Sequence, residues 1–236
     1  MLDSNLKAVD GAAAGAWIEP RLGGEFGAVT RQVPNGFTAY ARIFHSASDR
    51  EGKPVRWEEV AKVMGTTAHR EMQWYALVRS LDPCVYDDSK WPGSSPMTGD
   101  LNEPELNVLR GILAAHTNEP ENCFFGLCTI LSGTEQIVPP QDQKQPLLKL
   151  PMERDHIVLQ GPLSAMEHPP NLIWPPDCSW LVASEVDFDS TLVGGSNDLI
   201  QAILNSPDLE AWRVEPDDSL ACDADKINVV SVRGNS

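Results

Sequence analysis

The order of strand-like and helix-like segments constrains the fold of this chain more than any other feature. Short apolar stretches with the alternation typical of strands come in groups, and amphipathic stretches with helical spacing separate the groups. The regular strand and helix alternation of a parallel sheet is not seen. The sequence therefore predicts an α+β fold, a single domain with a largely antiparallel or mixed sheet and about four helices.

Residues 179–187 give the strongest strand prediction, because successive side chains alternate between two faces. Trp180 and Val182 are expected on one face, and Leu181 and Ala183 on the other. A hairpin is expected over 25–44, and further strands are expected at 123–131, 147–151, 156–160 and, as an edge strand, 209–214.

Helices are predicted where apolar residues recur at helical spacing next to a residue that begins or ends a helix. Gly65 is a typical C-terminal residue, Pro104 a typical first-turn residue, and Ser196 a typical N-cap. The predicted helices are 56–64, 66–81, 104–116 and 197–205.

The 236 residues lie at the upper end of what one hydrophobic core serves, so one domain is expected. The predicted organisation is a flexible N-terminal segment at 1–16, a single α+β domain at 17–214, and an acidic C-terminal tail at 215–236.

Acidic side chains are concentrated in the second half of the chain. The net charge is −16; residues 1–118 carry 12 Lys+Arg against 15 Asp+Glu, whereas residues 119–236 carry 6 against 19. Excess negative charge repels phosphate backbones and anionic lipid. We therefore expect no nucleic acid and no membrane as partner, and attraction toward a basic protein partner.

A cytoplasmic location is expected from the cysteines and from the N-terminus. Cys84, Cys123, Cys128, Cys178 and Cys222 are odd in number and scattered, so free and mostly buried thiols are expected rather than disulfides. The N-terminus lacks a basic region followed by an apolar stretch, and no segment has the roughly 18 apolar residues of a membrane span.

The strongest candidate for chemistry is the acidic row Glu185, Asp187 and Asp189. On one continuous strand these carboxylates would point to the same face at intervals of about 7 Å. Such a row is able to bind a hard cation, since hard metals prefer oxygen ligands. A solvated sheet face is the alternative interpretation.

Trp174 and Trp180, with nearby prolines in the crossing segment 169–176, form a second candidate. Aromatic side chains in a rigid frame are frequent interface hot spots, but they are equally frequent core anchors. Both interpretations remain open from the sequence.

Other motifs are weak. The five histidines are dispersed, and His116, at the end of an apolar helical face, is the first to check. Cys123 and Cys128 lie in apolar surroundings, which make a thiol inert. Gly194 and Gly195, expected to break a strand before Ser196, fit a turn and N-cap better than a phosphate loop. No cofactor is predicted.

Five segments of the chain resemble a group of uncharacterised actinobacterial proteins, over about residues 17–214. The resemblance implies no activity, cofactor or partner. The segments that carry it are 33–47, 55–61, 112–127, 171–180 and 182–196.

The leading hypothesis is a non-enzymatic cytoplasmic protein-interaction module whose acidic C-terminal half receives a basic protein, with binding residues Trp174, Trp180, Glu185, Asp187 and Asp189. The alternative is a metal-assisted hydrolase that uses the acidic row with a histidine from elsewhere. The charge asymmetry supports the first hypothesis, whereas clustered carboxylates support the second.

Overall fold

The computed structural model describes residues 5–80, 90–129, 145–151, 154–165 and 170–228. Its centre is a nine-stranded sheet whose paired strands are all antiparallel. A two-stranded ribbon, five α-helices and three short 3₁₀ helices accompany the sheet in this described part. The predicted α+β fold with a largely antiparallel sheet is confirmed.

The strands follow the predicted apolar segments, with the order β1-β7-β5-β8-β9-β10-β2-β11 and β6 paired to β7. Strand β11 lies at an edge, as expected. The strands are β1 (Lys7–Ala8), β2 (Ala39–Phe44), β3 (Ala47–Ser48), β4 (Pro54–Val55), β5 (Cys123–Cys128), β6 (Leu148–Leu150), β7 (Arg154–Gly161), β8 (Leu172–Trp174), β9 (Leu181–Ser184), β10 (Ser190–Gly195) and β11 (Ala211–Val214).

Three longer helices form where capping residues and apolar spacing agree. Gly65 ends one helix with φ 65°, Asn102 Oδ1 accepts a hydrogen bond from Glu105 N at 3.0 Å, and Ser196 Oγ accepts one from Leu199 N at 3.2 Å. These caps confirm three predicted helices. The helices are α1 (Gly11–Ala14), α2 (Trp57–Met64), α3 (Trp74–Leu77), α4 (Glu103–Ala115) and α5 (Asn197–Leu204).

The sheet is covered on both faces. The helical face packs under α4 and α5 and includes Val182, whereas the N-terminal face packs under α1 and the chain that follows it and includes Ala183. This confirms the predicted alternation of β9. A third cluster joins α2 and α3 to Phe44 at the end of β2.

Gly194 and Gly195 lie inside β10 and do not break a strand. A Cβ at Gly194 would lie 2.5 Å from Phe37 Cδ2, and one at Gly195 would lie 2.7 Å from Leu199 Cδ2. Close packing on both faces of the sheet therefore explains these glycines, because neither position has room for a side chain.

Three further local predictions were wrong, and tertiary hydrogen bonds explain two of them. Val29–Arg31 is a 3₁₀ helix and not a strand, since its backbone bonds to the chain after β11. Within 66–80 the α-helix is limited to α3, and Gln73 N donates to Asp225 at 3.3 Å. The proline-rich segment contains strand β8, which pairs with β5 and β9.

Both ends of the described chain contribute to the fold. Lys7 and Ala8 pair with Gln160 and Leu159, so the sheet begins within the segment assigned to a flexible N-terminus. Residues 215–228, here called the C-terminal strap, contain buried Leu220 and Asp225 within the segment assigned to an acidic tail. None of the helices in the described ranges is long and apolar enough to cross a bilayer.

Candidate functional site

The acidic row is not assembled on one strand. Strand β9 ends at Ser184, and residues 185–189 form the turn that leads into β10. Glu185 pairs with Arg154, Asp189 pairs with Arg42 at 3.5 Å, and Asp187 is exposed. The prediction of three carboxylates on one face was therefore wrong. The strand ends before these residues, and in the turn that follows each carboxylate has different surroundings.

No metal centre is formed by these acids. Within the described part of the chain, no group of three or more His, Cys, Asp or Glu side chains is placed to hold a metal ion. Asp189 and Glu185 each have an arginine instead, which satisfies a buried carboxylate as a cation would. The alternative hypothesis of a hydrolase thus lacks the carboxylate row on which it depended.

The Arg42 and Asp189 pair is structural. Arg42 donates to Ser190 Oγ at 2.9 Å and to the carbonyl oxygens of Arg70 and Met72 at 3.2 and 3.0 Å. Burial lowers the pKa of Arg42 to about 10 and raises the pKa of Asp189, while each charge offsets the other. The pair therefore joins β2 and β10 to the chain before α3.

Trp174 and Trp180 are core residues. Their exposed fractions are 0% and 1%. Trp174 packs on the N-terminal face, where it stacks on Phe124 with centroids 5.5 Å apart, and Trp180 packs on the helical face. The two indoles present no surface to a partner, and the core interpretation describes both.

The histidines are dispersed, as expected, and His45 and His156 are buried. His45 Nδ1 lies 2.8 Å from the Met97 carbonyl oxygen, and its Nε2 lies 2.9 Å from Thr191 Oγ1. Burial lowers the pKa of His45 to about 4. His116 follows the last residue of α4, and its Nδ1 lies 2.8 Å from the carbonyl oxygen of Ile112 in the same helix. His168 lies outside the described residues.

The thiols match the expectation in part. Cys123 and Cys128 are buried, Cys178 is half-buried and Cys222 is exposed, while Cys84 lies outside the described residues. Cys123, Cys128 and Cys178 form no disulfide in the described part of the chain. Burial raises the pKa of Cys123 to about 12, with help from neighbouring carboxylates. This buried thiol is a poor nucleophile.

The C-terminal strap is held by the loop between α2 and α3, through the side chains of His69 and Arg70 and the backbone of Thr67. Arg70 Nε lies 2.8 Å from Asp218 Oδ2, and His69 Nε2 lies 3.0 Å from Asp225 Oδ1. Thr67 exchanges two hydrogen bonds of 2.9 Å with the Asn228 amide. These contacts fix the acidic end of the described chain against the protein body.

A surface loop carrying Phe26 runs beside this strap. Val29 N donates to the Asp218 carbonyl oxygen at 3.0 Å, and Leu220 N donates to the Gly27 carbonyl oxygen at 2.7 Å. Phe26 is 76% exposed. The Phe26 surface, as we call it, comprises this ring and the exposed acids Glu25, Asp217 and Asp223 on the two paired segments.

Sequence reasoning missed Phe26, although a signal existed. Gly24 and Gly27 flank it with φ of 80° and 86°, conformations that favour glycine. Their Cβ positions would clash with the Ala28 and Ala221 side chains, so the glycines fix a tight loop. A lone aromatic between such glycines is typical of a loop tip that presents a side chain.

A small polar cavity opens on the N-terminal face of the sheet. Its volume is about 30 Å³, and it is partly open to solvent. It lies where β6, β7 and β9 meet the 3₁₀ helix at 29–31. The polar residues that line it are Arg31, Gln32, Arg154, His156, Asn171, Ser184 and Glu185.

No protein-family model, curated protein or solved structure matches this chain.

Proposed function

We propose that the protein is a non-enzymatic cytoplasmic interaction module that binds a basic protein partner through the Phe26 surface. The observation that carries the proposal is Phe26 itself, a ring 76% exposed at the tip of a loop fixed by the C-terminal strap. An exposed aromatic on a rigid frame gives a large contact area with little loss of conformational entropy on binding.

Charge supports a basic partner. The exposed cations of the described residues after 118 are Lys149, Arg213 and Lys226. The exposed acids of the same part are Glu119, Glu121, Asp177, Asp187, Asp198, Asp208, Glu215, Asp217 and Asp223. This excess of negative charge would accelerate encounter with a positive protein and set its orientation, while the aromatic contact would supply affinity.

The local charge balance points the same way. Lys226 is the strap's exposed cation, and it lies 3.5 Å from Asp223, with 73% and 81% of the two side chains exposed. Such a pair contributes little and is readily exchanged. Glu25 and Asp217 lie on the two segments that pair beside Phe26, and neither forms an ion pair among the described residues. A partner's lysine or arginine side chains would therefore meet carboxylates on the segments that hold the ring.

The cytoplasmic part of the proposal is supported by the thiols. Cys123, Cys128 and Cys178 form no disulfide in the described part of the chain, although Cys123 and Cys128 lie in its core. Proteins of oxidising compartments commonly pair such residues. Mass measurement of alkylated protein from cells tests this, because a disulfide in the native protein would contradict it.

A defined probe tests the binding proposal. The wild-type protein should bind a lysine-rich amphipathic peptide, measured by fluorescence anisotropy, and should not bind the same peptide with glutamate at the lysine positions. Phe26→Ser should weaken binding about tenfold or more, since an aromatic hot spot contributes about 2 kcal/mol. Binding should also fall steeply with added salt.

The matched control is Met97→Ser, which removes an exposed apolar side chain, 61% exposed, from a different loop. It should leave peptide binding unchanged. Equal loss in both variants, or full binding by Phe26→Ser, would assign the affinity to general charge and overturn the role of the Phe26 surface.

A further inference from the structure

The polar cavity on the N-terminal face holds a buried imidazole with an unused acceptor. His156 is 3% exposed, and its Nδ1 lies 3.0 Å from the Arg154 carbonyl oxygen. A carbonyl oxygen only accepts, so Nδ1 carries the hydrogen and Nε2 presents a lone pair. Among the described residues nothing donates to Nε2. The atom is not among the enclosed side-chain atoms that lack a partner, so solvent reaches it through the partly open cavity, and a ligand's donor can take the place of a water there.

The imidazole is neutral at physiological pH. Burial lowers the pKa of His156 to about 4, and the nearby Arg154 charge acts in the same direction. A neutral ring with the Nδ1–H tautomer does not attract an anion at Nε2. This atom is instead suited to accept a hydrogen bond from an O–H or N–H group.

The cavity carries one unbalanced positive charge. Arg154 pairs with Glu185 and also donates to Gln32 Oε1 at 3.2 Å, so its charge is matched. The Arg31 guanidinium has no hydrogen-bond partner among the described residues. Asn171 is already used, because its amide accepts from Cys128 N and donates to the Ser184 carbonyl oxygen.

The volume of the cavity and the residues that line it further restrict the chemical class of the ligand. A cavity of about 30 Å³ has room for about two water molecules. It would therefore enclose one carboxylate oxygen and the donor atom of a ligand, while the other atoms would extend through the side that is open to solvent. Apolar groups form the remaining walls, which suits a short hydrocarbon portion. These walls are Leu22, Leu150, Pro151, Leu172 and Ala183.

We propose that this cavity binds a monoanionic carboxylate whose α-carbon carries a hydrogen-bond donor. Arg31 holds the carboxylate, and His156 Nε2 accepts from the donor. A free 2-hydroxy acid has this chemistry, and so does the C-terminal residue of a peptide with its amide N–H. A dianion is disfavoured, since the Glu185 carboxylate lies in the same wall.

Titration of the full chain with three compounds tests the assignment, followed by ¹H–¹³C NMR of the histidine rings. Lactate represents the 2-hydroxy acid, N-acetylglycine represents the peptide terminus, and propionate lacks the donor. At least one of the first two should shift the His156 signals in a saturable way at millimolar concentration, about tenfold tighter than propionate. The compound that binds identifies the source of the ligand.

Variants separate the roles of the two side chains. Arg31→Gln should abolish binding of both donors, whereas Arg50→Gln, which removes an exposed arginine from the turn after β3, should leave binding unchanged. Equal binding of lactate and propionate would overturn the role of His156. Binding by neither lactate nor N-acetylglycine, or unchanged binding in Arg31→Gln, would overturn the proposal.

Discussion

Arg42 and Arg154 each pair with one acid of the turn 185–189, but the two pairs have different surroundings. The side chains of Arg42 and Asp189 are 2% and 7% exposed and are surrounded by further hydrogen-bond partners. The side chains of Arg154 and Glu185 are 22% and 14% exposed and line a cavity. The same arginine and carboxylate chemistry thus builds a core contact at one end of the turn and a ligand site at the other.

The largest difference is expected when the cation is removed from the enclosed pair. Arg42→Met leaves Asp189 buried without its partner and should lower the free energy of unfolding by about 3 to 5 kcal/mol. Urea unfolding followed by tryptophan fluorescence measures the change. Arg42→Met combined with Asp189→Asn should recover part of the loss, because the uncompensated charge is gone. A neutral effect of the single variant would remove the distinction between the pairs.

The cavity side is expected to give a pH-dependent stability through His156. Its pKa in the folded state, about 4, lies below the ordinary value of 6.5, so the unfolded state binds more protons between these values. This group's stabilising contribution is present above pH 6.5 and is lost as the pH falls toward 4. His156→Gln should remove about 3 kcal/mol of that variation.

Unfolding of wild type and variant at several pH values from 4 to 7 provides the measurement. His45 has a similarly lowered pKa and remains in both proteins, so it cancels in the difference. Parallel pH profiles would contradict the prediction, because they would show that the pKa of His156 is the same in the folded and unfolded states.

A smaller effect is expected at the cavity pair. Arg154→Met should reduce the free energy of unfolding by about 1 kcal/mol, because Glu185 can be hydrated from the partly open cavity. The same urea experiment applies. A loss as large as that of Arg42→Met would mean that the cavity is sealed and would argue against a ligand site.

The smallest effect is expected at Asp187, between the two pairs. Its carboxylate is exposed, so Asp187→Asn should change stability by less than about 0.5 kcal/mol. Millimolar Mg²⁺, Mn²⁺ or Ca²⁺ should not raise the melting temperature of either protein. A metal-dependent rise in wild type that is lost in the variant would restore the metal hypothesis for the turn.

Local signals in the sequence determined the three longer helices and most strands. Ser196 and Gly65 act within a few residues of their own helices and form the expected caps, and Asn102 caps α4 just before the predicted first-turn residue Pro104. The alternation of Leu181–Ser184 likewise follows from the pleat of a strand. These features were predictable because their hydrogen bonds and periodicity are contained in short segments.

Tertiary structure determined the partners and the burial of the candidate site residues. Arg154 lies 31 positions from Glu185, and His69 lies 156 positions from Asp225. No local pattern indicates which arginine will meet which acid, or that Arg31 and His156 will line one cavity. Likewise, Trp174 and Trp180 have the same sequence signal as an interface, and only packing on opposite faces of the sheet placed both in the core. Burial depends on how the sheet and the helices pack together, whereas the sequence shows only which side chains are apolar enough to be buried.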